Sequence, residues 1–418
     1  MRKLTVKNFS VIKEAELDFG KITVLIGPQA SGKSLLCKLA FFLGREVIKI
    51  AVDMAVSRIS TLEFQSAVQK EFEKWFPRGG WGNELWSVSF VEEEYEVQIS
   101  CPVTGAPTAD VVFSIGGPFE NAYVKRLRET SESLKERGFL LAPALQSRAA
   151  TEFFKIAGRG VWDVSTYIPT QRSYFVDIKK GYRTLAAEAD PISAQFADVF
   201  ANGLKPSLSR SRVSRFLGGD IRSWQNEWML AFQDGRLLAL SDLSSGSKET
   251  LPILTTLDYY ESQRGQSGHL PSAELYEERL YSFDDFTIEE PESSVFPQTQ
   301  YELVKEFAAL TNKADFVPHF TITTHSPYIL SSFNNLIEAG QAARNNPALH
   351  DEVAKIIPEQ YWIKEGDFKA YAIQNGKLRS ILNESGFIEG NYLDQVSEVI
   401  GNEFDKLLRL EYEHTKAS

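Results

Sequence analysis

The octapeptide Gly27-Pro28-Gln29-Ala30-Ser31-Gly32-Lys33-Ser34 has the spacing glycine, four residues, Gly-Lys-Ser. Two glycines let a backbone loop close around phosphate, and its amides, with the start of a following helix, supply aligned positive dipole. Lys33 adds a full charge for the β and γ phosphates, and Ser34 offers a hydroxyl to Mg²⁺. Residues Gly27 to Leu35 are therefore the candidate nucleotide-binding segment, with ATP and Mg²⁺ as the implied cofactors. A chance glycine turn is the bland alternative. The apolar run before this segment and the helical spacing after it argue against that.

Three further segments have residue types that suit phosphate chemistry. The run from Phe283 ends in Thr287-Ile288-Glu289-Glu290-Pro291-Glu292. Two acids at a strand end can serve a metal shell and an attacking water, which assigns Glu289 to the metal and Glu290 to the water. Alone, such acids are more often a solvated turn; beside a phosphate loop the functional reading gains. Phe320 to Pro327 is another apolar strand with a polar tip, and His325 there can reach a γ-phosphate, although a lone histidine is usually structural. Leu243-Ser244-Ser245-Gly246-Ser247 opens a helix after Asp242. It is a serine cap, and also a second anion site, because hydroxyls, free amides and helix dipole point the same way. One loop already serves each nucleotide, so a second anion-binding helix start points to a nucleotide held by another copy.

Positioning these residues requires a strand, loop and helix in that order. The chain supplies strands over Leu4 to Phe9, Ile12 to Phe19 and Ile22 to Ile26, then a helix over Ser34 to Leu43 with Leu35, Leu36, Leu39, Phe42 and Leu43 at helical spacing. Val47 to Phe76 reads as helical and amphipathic, and Trp86 to Ser100 and Ala109 to Ile115 read as strands of an inserted lobe. Basic residues gather at Lys125, Arg126, Arg128, Lys135 and Arg137, and again at Arg210, Arg212 and Arg215. Both clusters are expected to be solvated helix faces, with nucleic-acid contact as the minority reading. Asn375-Gly376 between two alternating runs predicts a hairpin. A last helix aligns Leu393, Val396, Ile400, Phe404, Leu407 and Leu408. No internal repeat or heptad run is evident.

A chain of 418 residues that is 43% hydrophobic can bury a large core. Its formal charge of −11 excludes a basic coat protein for nucleic acid and leaves room only for a local cationic patch. Two cysteines, Cys37 and Cys101, make neither a disulfide framework nor a zinc cluster, which fits a reducing cytosol and a cytoplasmic location. The N-terminus reads as a strand rather than a signal peptide, and no apolar run is long enough to span a bilayer. A membrane role is therefore not expected.

The four motifs in this order resemble the ABC ATPase superfamily, with Leu243 to Ser247 standing where its signature stands. Lys3-Leu4-Thr5-Val6-Lys7-Asn8-Phe9 followed by the phosphate loop is similar to the chromosome-maintenance and break-repair branch. Within it, Tyr167 to Ser173, Ser244-Ser245-Gly246, Glu289 to Glu292 and Thr324-His325-Ser326-Pro327 resemble ATPases of the overcoming-lysogenization-defect and Septu type, which are associated with defence against phage. The resemblance covers the first fifty residues and roughly 160 to 340 as motifs. It implies that Lys33 and Ser34 bind phosphate and Mg²⁺, Glu289 the metal, Glu290 the water and His325 the γ-phosphate. It also implies that Ser244 and Gly246 complete a partner's site. Ser245 and Ser247 replace the usual glycine and glutamine or glutamate, Glu289 replaces the usual aspartate, and Phe296 stands where relatives often have histidine. These departures bear on turnover rate more than on binding. Gln171 is the candidate for the glutamine that links γ-phosphate to the inserted lobe, with a structural role as its alternative. Some relatives continue into a topoisomerase-primase nuclease; no Asp-x-Asp pair follows His325, so effector chemistry is expected from another protein.

The fold class expected is α/β: an ABC-type P-loop ATPase with a mixed central sheet, antiparallel N-terminal strands and inserted helical and β lobes. The core is placed at 1–44, 160–175 and 234–345, the insertions at 45–159 and 176–233, and a completing hairpin and helix at 346–418. The leading function is a slow ATPase acting as a nucleotide-gated homodimer or higher oligomer, sensor and scaffold of a defence system with a separate nuclease or toxin effector. A DNA-binding repair or maintenance ATPase is the alternative, and a nucleotide-holding module without hydrolysis is the third reading.

Overall fold

Ile22–Ile26 is buried on both faces and apolar but for Thr23, as suits a strand covered by helices on both sides. The computed structural model describes residues 2–57, 59–102, 111–137, 149–158 except 151 and 154, 165–177, 190–205, 208, 210–225, 227–266, 283–313, 317–390 and 402–407. Its strands are β1 (Arg2–Phe9), β2 (Ile12–Asp18), β3 (Ile22–Ile26), β4 (Trp86–Glu92), β5 (Tyr95–Cys101), β6 (Val112–Ile115) and β7 (Ser165–Ile168). They continue with β8 (Gly219–Trp224), β9 (Glu227–Phe232), β10 (Leu237–Ala239), β11 (Phe283–Glu289), β12 (Val317–Thr324), β13 (Phe368–Gln374) and β14 (Lys377–Ser380). The helices used below are α1 (Lys33–Phe41), α2 (Val47–Val56), α3 (Thr61–Trp75), α4 (Gly117–Arg137), α5 (Ser173–Asp177), α6 (Pro191–Gly203), α7 (Ser211–Leu217), α8 (Ser245–Gln266), α9 (Pro297–Thr311) and α10 (Pro327–Asn345).

Eleven of these strands form one sheet in the order β6-β5-β4-β1-β2-β14-β13-β3-β12-β11-β7, and β10-β9-β8 form a second. The β6 to β2 half is antiparallel, whereas β13, β3, β12, β11 and β7 run parallel. The expected α/β class, with a mixed sheet and antiparallel N-terminal strands, is the one found. Register decides where function can gather. Ile168 lies opposite Ile288, Glu289 opposite Thr323, and Thr324 opposite Ile26, so four parallel strands end together and their outgoing loops share one edge. Alternation along β3 sends Leu25 into the core under α1 to α3 and Val24 into the core formed with α8, α9 and α10.

Several elements run differently from expectation. The helix expected over 34–43 does not stop there: α1 continues through a π-turn at Phe42–Glu46 directly into α2. The helical stretch 47–76 divides near Ser60, whose side chain and that of Glu63 form a capping box at the start of α3. The strands of 86–115 hydrogen-bond onto β1 through β4 and so extend the main sheet. Asn375 and Gly376 adopt φ of 51° and 77° and join β13 to β14 as the hairpin signal requires. Leu393, Val396, Ile400 and Leu408 lie outside the described residues; Phe404 and Leu407 are exposed.

The cluster at 210–215 is not a solvated basic face. Arg212 is buried and pairs with Asp258 at 2.7 Å, Glu261 at 2.6 Å and Glu306 at 2.6 Å, tying α7 to α8 and α9. Arg210 turns inward to the carbonyls of Gly203 and Lys205, and Arg215 also reaches Glu306. Burial alone would weaken the Arg212 charge, but Glu306, Asp258 and Glu261 outweigh it and raise its pKa. Arg212→Ala leaves the buried Asp258 without its ion-pair partner and Glu306 with Arg215 alone, so a loss of about 3–5 kcal/mol in unfolding free energy is expected by chemical denaturation. A loss below about 1 kcal/mol, the scale of a surface pair, would return this cluster to the surface reading.

Candidate functional site

The phosphate loop leaves β3 at Ile26 and is clamped from both sides. A Cβ on Gly27 would meet the Ile373 carbonyl oxygen of β13 at 2.8 Å, and one on Gly32 would meet Ile12 Cδ1 at 2.5 Å. Gly32 also has φ +105°, so glycine is required there on both counts. Lys33 is 5% exposed, and its Nζ donates to the carbonyls of Gly27 at 2.8 Å and Pro28 at 3.0 Å. Burial pushes its pKa down, and the carboxylates of Glu290 and Glu292 act against that. An ammonium held this way favours further anionic partners.

Glu289 and Glu290 end β11 and diverge. The Glu289 carboxylate is buried and accepts from the Tyr167 hydroxyl at 2.6 Å and from the Thr170 amide and hydroxyl at 3.1 and 2.9 Å. Glu290 has φ +42°, a left-handed conformation uncommon for a side-chain-bearing residue. This turn leaves its carboxylate half-exposed, with Oε1 3.4 Å from His325 Nε2. His325 follows β12 directly, and Ser326 after it caps α10 by accepting from the Tyr328 and Ile329 amides at 3.2 and 3.5 Å. Lys33, Glu290 and His325 thus meet at one edge.

Among the described residues no cluster of three or more histidine, cysteine or acidic side chains could hold a metal by itself. A hard cation bound mainly through phosphate and water needs only one or two protein oxygens. The Ser34 hydroxyl and Glu289 fit that requirement: each Glu289 oxygen has two acceptor directions, and Oε1 has one hydrogen bond. Tyr167 and Thr170 fix this carboxylate from behind. Cys37, whose thiol burial pushes up, contributes no anion.

Leu243 to Ser247 open α8. The Ser244 hydroxyl accepts from the Ser247 amide at 3.3 Å, while Ser244 and Ser245 are exposed. Leu243 is buried, and a Cβ on Gly246 would meet the Ser294 carbonyl oxygen at 2.8 Å, so the helix start packs on the segment leaving Glu290. Gln171 is exposed just beyond β7, whose end lies beside that of β11.

Reading the sequence alone gives no individual role to four contributors. Tyr167 and Thr170 are two of them. Glu292 is the third: it accepts from the His325 amide at 2.6 Å, and burial raises its pKa. Arg172 is the fourth, and it is completely buried. The cluster at Lys125 is only partly described; Lys125 and Arg126 both pair with Glu152.

Residues 93–330, more than half of the chain, match the family described as AAA ATPase domain. The span contains Gln171, residues 243–247, Glu289, Glu290 and His325 and begins after the phosphate loop. Among solved structures, the chain is similar to the SMC head domain from Thermotoga maritima, at 13% identity and TM-score 0.38 over 91% of this chain and 98% of that one. It is similar to the Smc head domain with an extended coiled coil bound to the C-terminal domain of ScpA from Pyrococcus furiosus, at 12% identity and TM-score 0.35 over 91% and 96%. The recombination mediator protein RecF with a bound ATP analogue gives 11% identity and TM-score 0.34 over 91% and 97%. No curated protein matches. No helix among the described residues is long and apolar enough to cross a membrane.

Proposed function

The chain belongs to the AAA ATPase domain family and hydrolyses ATP, and from that premise we propose a nucleotide-gated homodimer in which residues 27–35 of one copy and 243–247 of another close on the same triphosphate. One observation carries the reading. The start of α8 presents exposed Ser244 and Ser245 beside the segment that leaves Glu290, yet among the described residues no hydrogen bond or ion pair joins 243–247 to 27–35. An anion-binding helix start on the nucleotide edge, without a bond to the loop of its own chain, suits a second chain's phosphates. In this scheme Lys33 and the loop amides hold the β and γ phosphates. Ser34 and Glu289 would hold Mg²⁺, whose charge would favour phosphoryl transfer there. Glu290 orients and deprotonates the water, and His325 bonds the γ-phosphate. Gln171 links that phosphate to the inserted lobe.

Complementation tests the shared site. Lys33→Ala and Ser244→Arg variants should each be inactive alone. Mixed dimers should regain about a quarter of wild-type phosphate release, since half the dimers are mixed and each has one intact composite site. No recovery on mixing, with both variants folded, overturns the shared site.

For its biological use, we infer a cytoplasmic sensor and scaffold of an anti-phage system controlling a separate nuclease or toxin. The motif blocks at 167–173, 244–246, 289–292 and 324–327 support this. Equal phage plating on cells carrying the locus and on cells without it would remove the defence role. The DNA-engaging alternative loses Arg210 and Arg212, which are buried, and finds Lys125 and Arg126 already paired.

A further inference from the structure

The loop after β7 contains a side chain that the scheme above does not use. Arg172 is 0% exposed and is among the largest fully buried side chains. Its Nε donates to the Glu249 carbonyl at 2.8 Å, its Nη1 to the Glu289 carbonyl at 2.6 Å and the Pro169 carbonyl at 3.3 Å, and its Nη2 to the Glu290 carbonyl at 2.8 Å. Nη2 also pairs with Glu249 Oε2 at 3.3 Å. Among the described residues no other hydrogen bond joins α8 to residues 289–290. Three segments with different tasks therefore converge on one guanidinium: the loop bearing Gln171, the paired glutamates and the second turn of the serine-led helix.

We propose that Arg172 is the positioning residue that couples the start of α8 to the backbone of Glu290, so that a phosphate docking at Ser244 to Ser247 sets the aim of the Glu290 carboxylate. The inference rests on the shared-site reading above and specifies how closure reaches the chemistry. Glu290 is the right recipient. Its left-handed backbone must be held by its surroundings. The Thr323 carbonyl receives its amide at 2.9 Å and Arg172 binds its carbonyl, so these two contacts fix the peptide on either side. A shift of α8 moves the Glu249 carbonyl and, through the rigid planar fork, the Glu290 carbonyl with it. Misplacement by about 1 Å at a reacting group is enough to cost roughly a hundredfold in rate.

The test uses Arg172→Lys, which keeps a charge but gathers its donors on one nitrogen, whereas Nε, Nη1 and Nη2 serve acceptors on separate segments. The expected result is a kcat lower by about a hundredfold, with ATP affinity and ATP-driven dimerisation unchanged. In a double-mutant cycle with Ser244→Ala, the effects on kcat should be non-additive, because both act through α8. A purely structural role would instead lower the melting temperature and the nucleotide-binding fraction, leave kcat per bound nucleotide as in wild type, and give additive effects. That outcome overturns the coupling. Should Arg172→Lys not fold, Glu249→Gln replaces it in the same cycle, because it removes the ion pair that holds Nη2, the atom that also binds the Glu290 carbonyl. A several-fold lower kcat with non-additivity supports the proposal, and wild-type kcat or additivity ends it. Failure of the wild-type protein to dimerise with ATP, by contrast, removes the shared-site reading and this coupling with it.

Discussion

Glu290→Gln lowers phosphate release by roughly 10²–10⁴-fold, the range associated with loss of a positioned general base, and leaves ATP affinity close to wild type. The substitution keeps side-chain length, the φ +42° backbone and a polar atom facing His325, 3.4 Å away in the wild type. It removes the capacity to take a proton from water. The expectation extends beyond rate. If closure of two copies on ATP is opened by hydrolysis, a non-hydrolysing variant stays closed. Size-exclusion chromatography with ATP and Mg²⁺ should then show a long-lived dimer for Glu290→Gln and a short-lived one for wild type. Turnover within about threefold of wild type, far inside the range for a lost base, contradicts the base assignment. Lost turnover with a monomer at every ATP concentration keeps the base and rejects the gate.

What the sequence made legible follows from which interactions are local. The phosphate loop's pattern is local: strand, turn and helix are contiguous, and Gly32 is demanded by its own φ, although Ile373 and Ile12 clamp the loop from outside it. The Asn375-Gly376 hairpin is equally local. Glu289 and Glu290 were legible as a pair at a strand end, one assigned to the metal and the next to the water, but the contacts that separate them are not local: Tyr167 and Thr170 draw one carboxylate inward while the backbone turns the other out. Arg172 lies within a stretch whose residues are individually ordinary. Its meaning arises only when β7, β11 and α8 meet, across sequence separations of 77 to 118 residues. The cluster at 210–215 misleads for the same reason. Serine and arginine alternate there without a local acid, and its partners Asp258, Glu261 and Glu306 lie on two later helices. Pairing of the strands at 86–115 with β1 is likewise non-local, so the alternation of those strands could not reveal the sheet they join.

Lys33→Ala is expected to reduce ATP hydrolysis to background and to weaken ATP binding by 2–5 kcal/mol, about thirtyfold to several thousandfold. The Lys33 ammonium bonds the Gly27 and Pro28 carbonyls. Burial works against its charge, while Glu290 and Glu292 attract it without a hydrogen bond to either. Triphosphate oxygens offer this ammonium anionic acceptors in place of neutral ones, so much of the lysine's electrostatic stabilisation is realised on binding. Truncation to alanine removes it and also leaves two loop carbonyls without their donor, so a loss of affinity alone does not separate charge from loop geometry. Lys33→Arg does. It retains the charge, but a planar guanidinium is larger than the ammonium it replaces at a site that is 5% exposed. Affinity measured by fluorescent nucleotide titration should therefore recover in part, because it follows charge. Phosphate release should stay near background, because transfer depends on where the charge sits relative to the γ-phosphate. If arginine restores both, Lys33 acts as a countercharge alone. If alanine retains wild-type turnover, the phosphate loop is not where hydrolysis occurs.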